Sequence, residues 1–279
     1  MRVLVTGSSG YVGRRLSARL EADGHQVVPF SRATGGDVRD RDAVFAAVRD
    51  AEAVCHLVAI LDGTDEQFEA INAGGTRNVV DAAMAAGGRR LLHMSACGVN
   101  EANAPRTRYW RTKWEAKRAV MDSDLEWTVF EPSFVFGAGS GALSEFERLL
   151  RLPVVPVAGD GRYRHQPVWV EDVAACFSAA LERPQTAGQR FELGGPQVFT
   201  FDELLDELAR VTGRRPRPKL HAPVALAKAQ TVILRHLPPP LRATSEQIEM
   251  LVAGTVCDIE PMRSQLGVDP SSIAEAYTR

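Results

Sequence analysis

The chain opens on MRVLVTGSSGYVGRRL, in which a short apolar strand, a turn punctuated by Gly7, Gly10 and Gly13, and the start of a helix succeed one another without a spacer. Gly7 permits a tight turn, Gly10 lets the backbone approach a pyrophosphate, and Gly13 allows the helix to pack closely. Ser9, Tyr11 and Val12 complete the cradle, with the first amides of the helix facing an anion. A plain strand-turn-helix would take the same local shape. The agreement of strand, glycine spacing and helix start favours a dinucleotide-binding turn.

The chain beyond this turn keeps the rhythm of βαβ units. Arg2 to Thr6, Val27 to Phe30, Val54 to Val58, Leu91 to Met94 and Trp127 to Phe130 read as strands, each too short and continuous for a helix. Val12, Leu16 and Leu20 recur four apart until Gly24, and Asn78 to Ala86 is helical up to Gly87-Gly88. The expected fold is α/β, a Rossmann-type doubly wound parallel sheet with helices on both faces and a small, mostly helical C-terminal lobe for substrate. Pro132, Gly137, Gly139 and Gly141 break regularity and suggest a pocket loop. Val168 to Val170, the helix Asp172 to Leu181 and the strand Phe191 to Leu193 suggest a return to the sheet. Thr200 with Glu203 forms a capping box ahead of Leu204, Leu208 and Val211. Residues 1–136 and 166–195 are therefore assigned to the dinucleotide-binding domain, and 137–165 and 196–279 to the lobe.

Charge and composition remove several classes. With 33 Lys and Arg against 35 Asp and Glu, the chain has no electrostatic footprint for nucleic acid. Cys55, Cys97, Cys176 and Cys257 are scattered without a CxxC pair, and no cleavable apolar leader precedes the first strand, so a cytoplasmic protein with free thiols is expected. The six histidines show no metal-ligand spacing, and no metal is expected. The longest apolar stretch, Ala222 to Leu237, is interrupted by Lys228, Arg235 and His236, which excludes a transmembrane helix. It reads as a lobe helix, with peripheral membrane or partner association the alternative.

Two positions bear on the cofactor and its chemistry. An acidic group at the end of the second strand would bind ribose hydroxyls, whereas this chain has Ser31-Arg32, and a guanidinium suits a further phosphate. NADP(H) is favoured over NAD(H). Tyr109 and Lys113 lie four apart in a segment that reads as helix, so both project from one face, and an ammonium beside a phenol would lower its pKa. That pair reads as acid/base machinery; a surface helix carrying both residues is the plain alternative.

TGSSGYVG, GDVRD at Gly36 to Asp40 and YWRTK at Tyr109 to Lys113, in that order, resemble the short-chain dehydrogenase/reductase superfamily in its extended or atypical, NAD-dependent epimerase/dehydratase-like branch. EPSFVFG from Glu131, HQPVWVEDVA from His165 and FELGGPQVFTFDELL from Phe191 are similar to bacterial relatives of the dehydrogenase-like accessory subunit of respiratory complex I. The resemblance implies that Asp37 and Val38 border the adenine, that His56, Leu57, Val58 and Ala59 line the ribose and phosphate channel, and that Pro132 and Ser133 touch the nicotinamide side. It also implies that Lys113 binds the nicotinamide ribose and that Ser95 sits near the cofactor. Cys97 stands where the superfamily places a Ser or Thr that polarises the substrate carbonyl, and a thiol donates poorly. Two functions are implied: an NADP(H)-dependent oxidoreductase or epimerase acting on an unidentified small carbonyl or alcohol, or a non-catalytic dinucleotide-binding scaffold or redox sensor assisting a respiratory or quinone-related assembly.

Overall fold

The computed structural model describes residues 1–88, 90–137, 142–234 and 244–278. Gly139, Gly141, Arg235, His236, Leu237 and Pro238 to Pro240 lie outside the described residues. The chain forms two compact units: Met1–Pro132 with Val170–Leu193 and Ile259–Asp269, and Ser133–Trp169 with Gly194–Asp258 and Pro270–Arg279.

The first unit runs β1 (Arg2–Thr6), α1 (Tyr11–Ala22), β2 (Gln26–Phe30), α2 (Arg41–Arg49), β3 (Ala53–His56), α3 (Gly75–Ala85), β4 (Arg90–Met94), α4 (Arg108–Met121), β5 (Trp127–Pro132), α5 (Val170–Leu181), β6 (Gln189–Leu193) and α6 (Glu260–Leu266). Its six strands are ordered β6-β5-β4-β3-β1-β2, and every pairing is parallel. Helices α1 and α5 pack together, as do α2 with α3 and α3 with α4. The strand order reverses between β1 and β3, and in an open parallel sheet the crevice at such a reversal, beyond the carboxyl ends of the strands, is where ligands bind.

Side-chain alternation grades the face beneath α2, α3 and α4. Leu4, Val54 and Leu91 align in register and join Val44, Val48, Val79 and Val120 in an apolar core. Two residues further along the same strands, Thr6, His56 and His93 align instead. The sheet is thus oily toward its amino ends and polar toward the carboxyl ends. On α1, Leu16 and Leu20 are fully buried, each stabilising by about 2 kcal/mol.

The structure differs from the sequence-based expectation at four places. Helix α2, which the sequence pattern does not assign, is capped by Asp40, whose carboxylate accepts from Ala43 N–H at 3.0 Å, and buries Val44 and Val48. Leu57 and Val58 lie beyond the end of β3 at His56, although Leu57 N–H still donates to Thr6 O at 3.2 Å. Val168–Trp169 does not rejoin the main sheet but pairs with Val135–Phe136, so residues 133–136 and 166–169 fall in the second unit rather than the first. Conversely α6, expected in the lobe, belongs to the first unit: Met262 and Leu266 are buried, and α6 packs on β6 and α5.

The second unit contains helices Ala142–Leu149, Phe201–Val211, Val224–Leu234, Ser245–Ala253 and Ile273–Thr278. Three two-residue or four-residue strand pairs accompany them, so this unit is less purely helical than expected. The capping box is present, with Glu203 N–H donating to Thr200 Oγ1 and Thr200 N–H to Glu203 Oε2. Its core gathers Phe136, Val155, Val157, Phe201, Leu204 and Leu208. Among the described residues no helix is long and apolar enough to cross a membrane.

Candidate active site

The glycine turn joins β1 to α1 through backbone geometry. Gly7 has φ +77°, a left-handed conformation that favours glycine, and Gly10 N–H closes the turn on Gly7 O at 2.8 Å. A Cβ on Gly13 would lie 2.1 Å from Gly7 O, so only hydrogen fits where the helix crosses the turn. Gly10 caps α1 without a side-chain hydrogen bond, and the first turn carries no carboxylate. Helix N-terminal amides and the positive end of the dipole are thereby left for an external anion, which is what a pyrophosphate requires. Ser9 is exposed and Val12 buried; Ser9 O accepts from Arg14 at 2.7 Å. The Tyr11 hydroxyl is buried without a hydrogen-bond partner among the described residues, and burial pushes its pKa up to about 12.

Neighbouring loops complete the rim. The turn abuts Leu57 and Val58, since a Cβ on Gly7 would meet the Val58 side chain at 3.3 Å. Ala59 is partly covered. Arg32 is exposed in a single helical turn capped by Ser31 just beyond β2. Asp37 is gripped by Arg39, whose Nε donates at 3.0 Å, and this hydrogen bond holds the carboxyl below its ordinary range. Val38 is buried, and its carbonyl accepts from Asn78 at 2.9 Å.

Under this rim lies a polar layer. Thr76 donates its one hydroxyl proton to Asn72 O at 2.7 Å, so the 2.9 Å contact with His56 Nε2 must be an N–H donation from the ring. Burial depresses His56 to about 3; the ring is neutral, and Nδ1 accepts from Thr6 Oγ1 at 2.7 Å. His93 stacks on His56 at 5.4 Å; both its nitrogens are buried without a partner among the described residues, and burial holds it well below the usual histidine range. Asn72, in the π-helical segment Glu69–Gly74, brackets Ile60 by accepting from its N–H at 2.8 Å and donating to its carbonyl at 3.2 Å. It also donates to Thr112 at 3.2 Å, joining the β3 loop to α4.

Helix α4 starts at the cap Thr107, which accepts from Trp110 N–H at 3.0 Å. It carries Tyr109 and Lys113 as the spacing predicts. Their electrostatics depart from expectation. Lys113 is 2% exposed; its Nζ donates to Met94 O at 2.5 Å rather than to the phenol, and burial lowers it to about 7. Burial raises Tyr109 to about 12. No lysine-induced lowering of the phenol is seen, because desolvation dominates both groups.

Ser95 and Cys97 lie just beyond β4. Ser95 N–H donates to Phe130 O at 2.7 Å and Cys97 N–H to Pro132 O at 2.9 Å, while the Ser95 hydroxyl is buried without a partner among the described residues. Cys97 is partly covered, and the other three thiols are buried. Ser133, expected at the nicotinamide, donates to Thr255 Oγ1 at 2.8 Å within the second unit; that unit's His165 contacts the same hydroxyl at 3.0 Å. Sequence reasoning missed Asn72, His93, Lys117 and Glu131. Lys117 was accessible as the next member of the Tyr109, Lys113 stripe, and Glu131 as a carboxylate inside an apolar strand.

Comparison with known proteins agrees with this architecture. Residues 3–194 match the NAD dependent epimerase/dehydratase family. The chain is 28% identical to the mitochondrial NADH dehydrogenase [ubiquinone] 1 alpha subcomplex subunit 9 of Arabidopsis thaliana, over 94% of this chain and 72% of that protein. It is 30% identical to the (4-alkanoyl-5-oxo-2,5-dihydrofuran-3-yl)methyl phosphate reductase of Streptomyces griseus, over 96% and 94% respectively. It spans 29% of the length of an uncharacterised Mycobacterium tuberculosis protein to which it is 28% identical over 99% of its own length. Among solved structures, a short-chain dehydrogenase/reductase superfamily protein from Agrobacterium tumefaciens with bound NAD superposes with TM-score 0.75 at 22% identity, covering 99% of this chain and 94% of that one. The dTDP-4-dehydrorhamnose reductase of Bacillus anthracis in complex with NADP gives 0.76 at 16% identity, covering 100% and 97%.

Proposed function

Because the chain belongs to the NAD dependent epimerase/dehydratase family, we propose that it is an NADP(H)-dependent reductase or epimerase-like enzyme acting on a small carbonyl or alcohol. The observation that carries this is an uncapped glycine turn with a half-buried Tyr109 and a buried Lys113 at the same carboxyl edge of one sheet. When bound, the dinucleotide supplies or accepts hydride.

The chain's own residues do the rest. The turn amides bind pyrophosphate, Arg32 faces the additional phosphate of NADP(H), and Asn72 holds the β3 loop against the sugar. Tyr109, with its pKa near 12, keeps its proton at neutral pH and gives it to a carbonyl oxygen as that oxygen becomes a far more basic alkoxide. Lys113, near 7, changes charge within the working range while its Nζ donates to Met94 O. Cys97 offers a weak donor, and loss of one oxyanion donor costs on the order of a hundred- to a thousandfold in rate; Ser95 supplies the remaining buried hydroxyl.

NADPH oxidation against a carbonyl panel that includes quinones tests this reading. Tyr109→Phe should lower kcat by on the order of a hundredfold or more with NADPH affinity retained. An inactive wild type across the panel, or an unchanged rate in Tyr109→Phe, overturns it. Cys97, together with the likeness to a subunit named for NADH dehydrogenase, favours a second reading: a dinucleotide-binding scaffold of a respiratory or quinone-related assembly, peripheral to a membrane. In that case NADPH raises the melting temperature by mass action without turnover.

A further inference from the structure

Three segments of the proposed site meet on one ammonium. Lys117 lies one helical turn beyond Lys113 and two beyond Tyr109 on α4, so the three share a face. Its side chain is 1% exposed, and its Nζ donates to Val99 O at 2.9 Å and to Glu131 Oε1. Glu131 lies on β5, next to Pro132, whose carbonyl receives Cys97 N–H. Val99 closes a bend by donating its N–H to Ala96 O at 3.2 Å, and Gly98 within it has φ +84°. Asn103 holds the adjacent Gly98 carbonyl at 2.9 Å.

Stability alone gives no reason for this pair. Two charges withdrawn from water cost several kcal/mol each in desolvation, and well-packed apolar residues commonly do as well or better. What an apolar pair lacks is a donor for the Val99 carbonyl. We propose that Lys117, oriented by Glu131, is a positioning residue: through Val99 O it fixes the bend that comes after Ser95 and contains Cys97 against the helical turns that carry Tyr109 and Lys113. Its catalytic consequence rests on the proposed reductase activity, whereas the fixing of the bend rests on the hydrogen bonds alone.

Cys97 reports on the bend without any substrate, because Cys55, Cys176 and Cys257 are buried. Its rate of reaction with 5,5′-dithiobis(2-nitrobenzoate) is compared in three variants alongside their melting temperatures. Lys117→Met removes the donor and should speed labelling about tenfold or more, the scale of one lost buried charged hydrogen bond. Glu131→Gln leaves the Lys117 donor in place and should stay within about twofold of wild type by the same reasoning. The exchanged pair K117E/E131K restores an opposite-charge pair but sets the new lysine beside Arg190, which lies 3.8 Å from Glu131, and a carboxylate cannot donate to a carbonyl; its melting temperature should recover in part relative to Lys117→Met while its labelling stays fast.

Labelling rates that follow melting temperature across the variants, or that remain at the wild-type value, overturn the proposal. Should Lys117→Met fail to fold, Glu131→Gln and the exchanged pair decide by the same criterion. With NADPH and 9,10-phenanthrenequinone, a perturbed bend should lower kcat while NADPH affinity holds, and an unchanged kcat in Lys117→Met overturns the catalytic consequence. A wild type without turnover overturns the reductase reading and leaves labelling to judge the bend.

Discussion

The glycine turn and the floor beneath Tyr109 and Lys113 occupy the same edge of one sheet, yet they are built by opposite means. The turn uses almost no side chains: Gly7 adopts a left-handed conformation, and Gly13 leaves room that a methyl group would fill. The floor uses little else, layering His56, His93, Asn72, Thr76, Lys113, Lys117 and Glu131 in the interior, each of them at least nine-tenths buried. A backbone cradle presents fixed dipoles to an anion whatever the pH. A floor of buried titratable groups makes the site's chemistry depend on which of them hold a proton.

The largest expected effect tests the cradle by comparing two glycines. In Gly13→Ala the new methyl meets Gly7 O at 2.1 Å and Ser8 Cα at 2.9 Å, so helix and turn must part, at a cost of about 3 kcal/mol by the scale of overpacked cores. NADPH affinity measured by calorimetry should fall by about a hundredfold or more. Gly24→Ala is the control: its φ is +86° but nothing lies within 4 Å, so it should cost about 1 kcal/mol of stability and leave NADPH affinity intact. Equal losses of affinity in both would mean that the turn is a packing element and not an anion cradle.

A smaller effect probes the floor. Lys113 titrates near 7 in the fold against 10.5 as its ordinary value, so between these values the unfolded chain holds a proton that the folded one has released. Stability therefore rises with pH across that window, and below about pH 7 the penalty of burying the charge is present in full. Above pH 9 the buried thiols of Cys55 and Cys176, both raised by burial, act in the opposite sense. Between pH 7 and 8.5 urea denaturation should show wild type gaining stability on the order of 1 kcal/mol or more and Lys113→Met gaining none. Parallel curves would show that Lys113 is solvated rather than buried.

This contrast explains what could be read from the sequence. The turn was legible because glycine spacing, strand and helix start are local and consecutive in one short segment, and the parallel sheet was legible from short apolar runs. Tyr109 and Lys113 were legible as a pair four apart, but their electrostatics were not, because desolvation depends on what covers them. His93 reads as strand core, and its lack of hydrogen-bond partners among the described residues arises only when β3, β4 and α4 come together. Glu131 finds Lys117 fourteen residues away, across a helix-to-strand connection that no periodicity encodes. Ser133 shows the reverse case: its motif is local, but the partner of its hydroxyl, Thr255, lies 122 residues on.

The smallest effect concerns Arg32, a charged group at the rim that belongs to neither construction. Arg32 is exposed in the turn after β2, the place where a carboxylate would select ribose hydroxyls, and Asp37, the nearby acid, is occupied by Arg39. An exposed guanidinium facing a phosphate gains from charge-assisted hydrogen bonds but competes with water and salt. Arg32→Ala should therefore weaken NADPH binding by about tenfold and leave NADH affinity unchanged, and the ratio of the two should shrink as salt is raised in wild type but not in the variant. If both cofactors lose affinity together, Arg32 supports the cradle as a whole; if neither does, Arg32 plays no part in cofactor choice and the proposed preference for NADP(H) loses its basis.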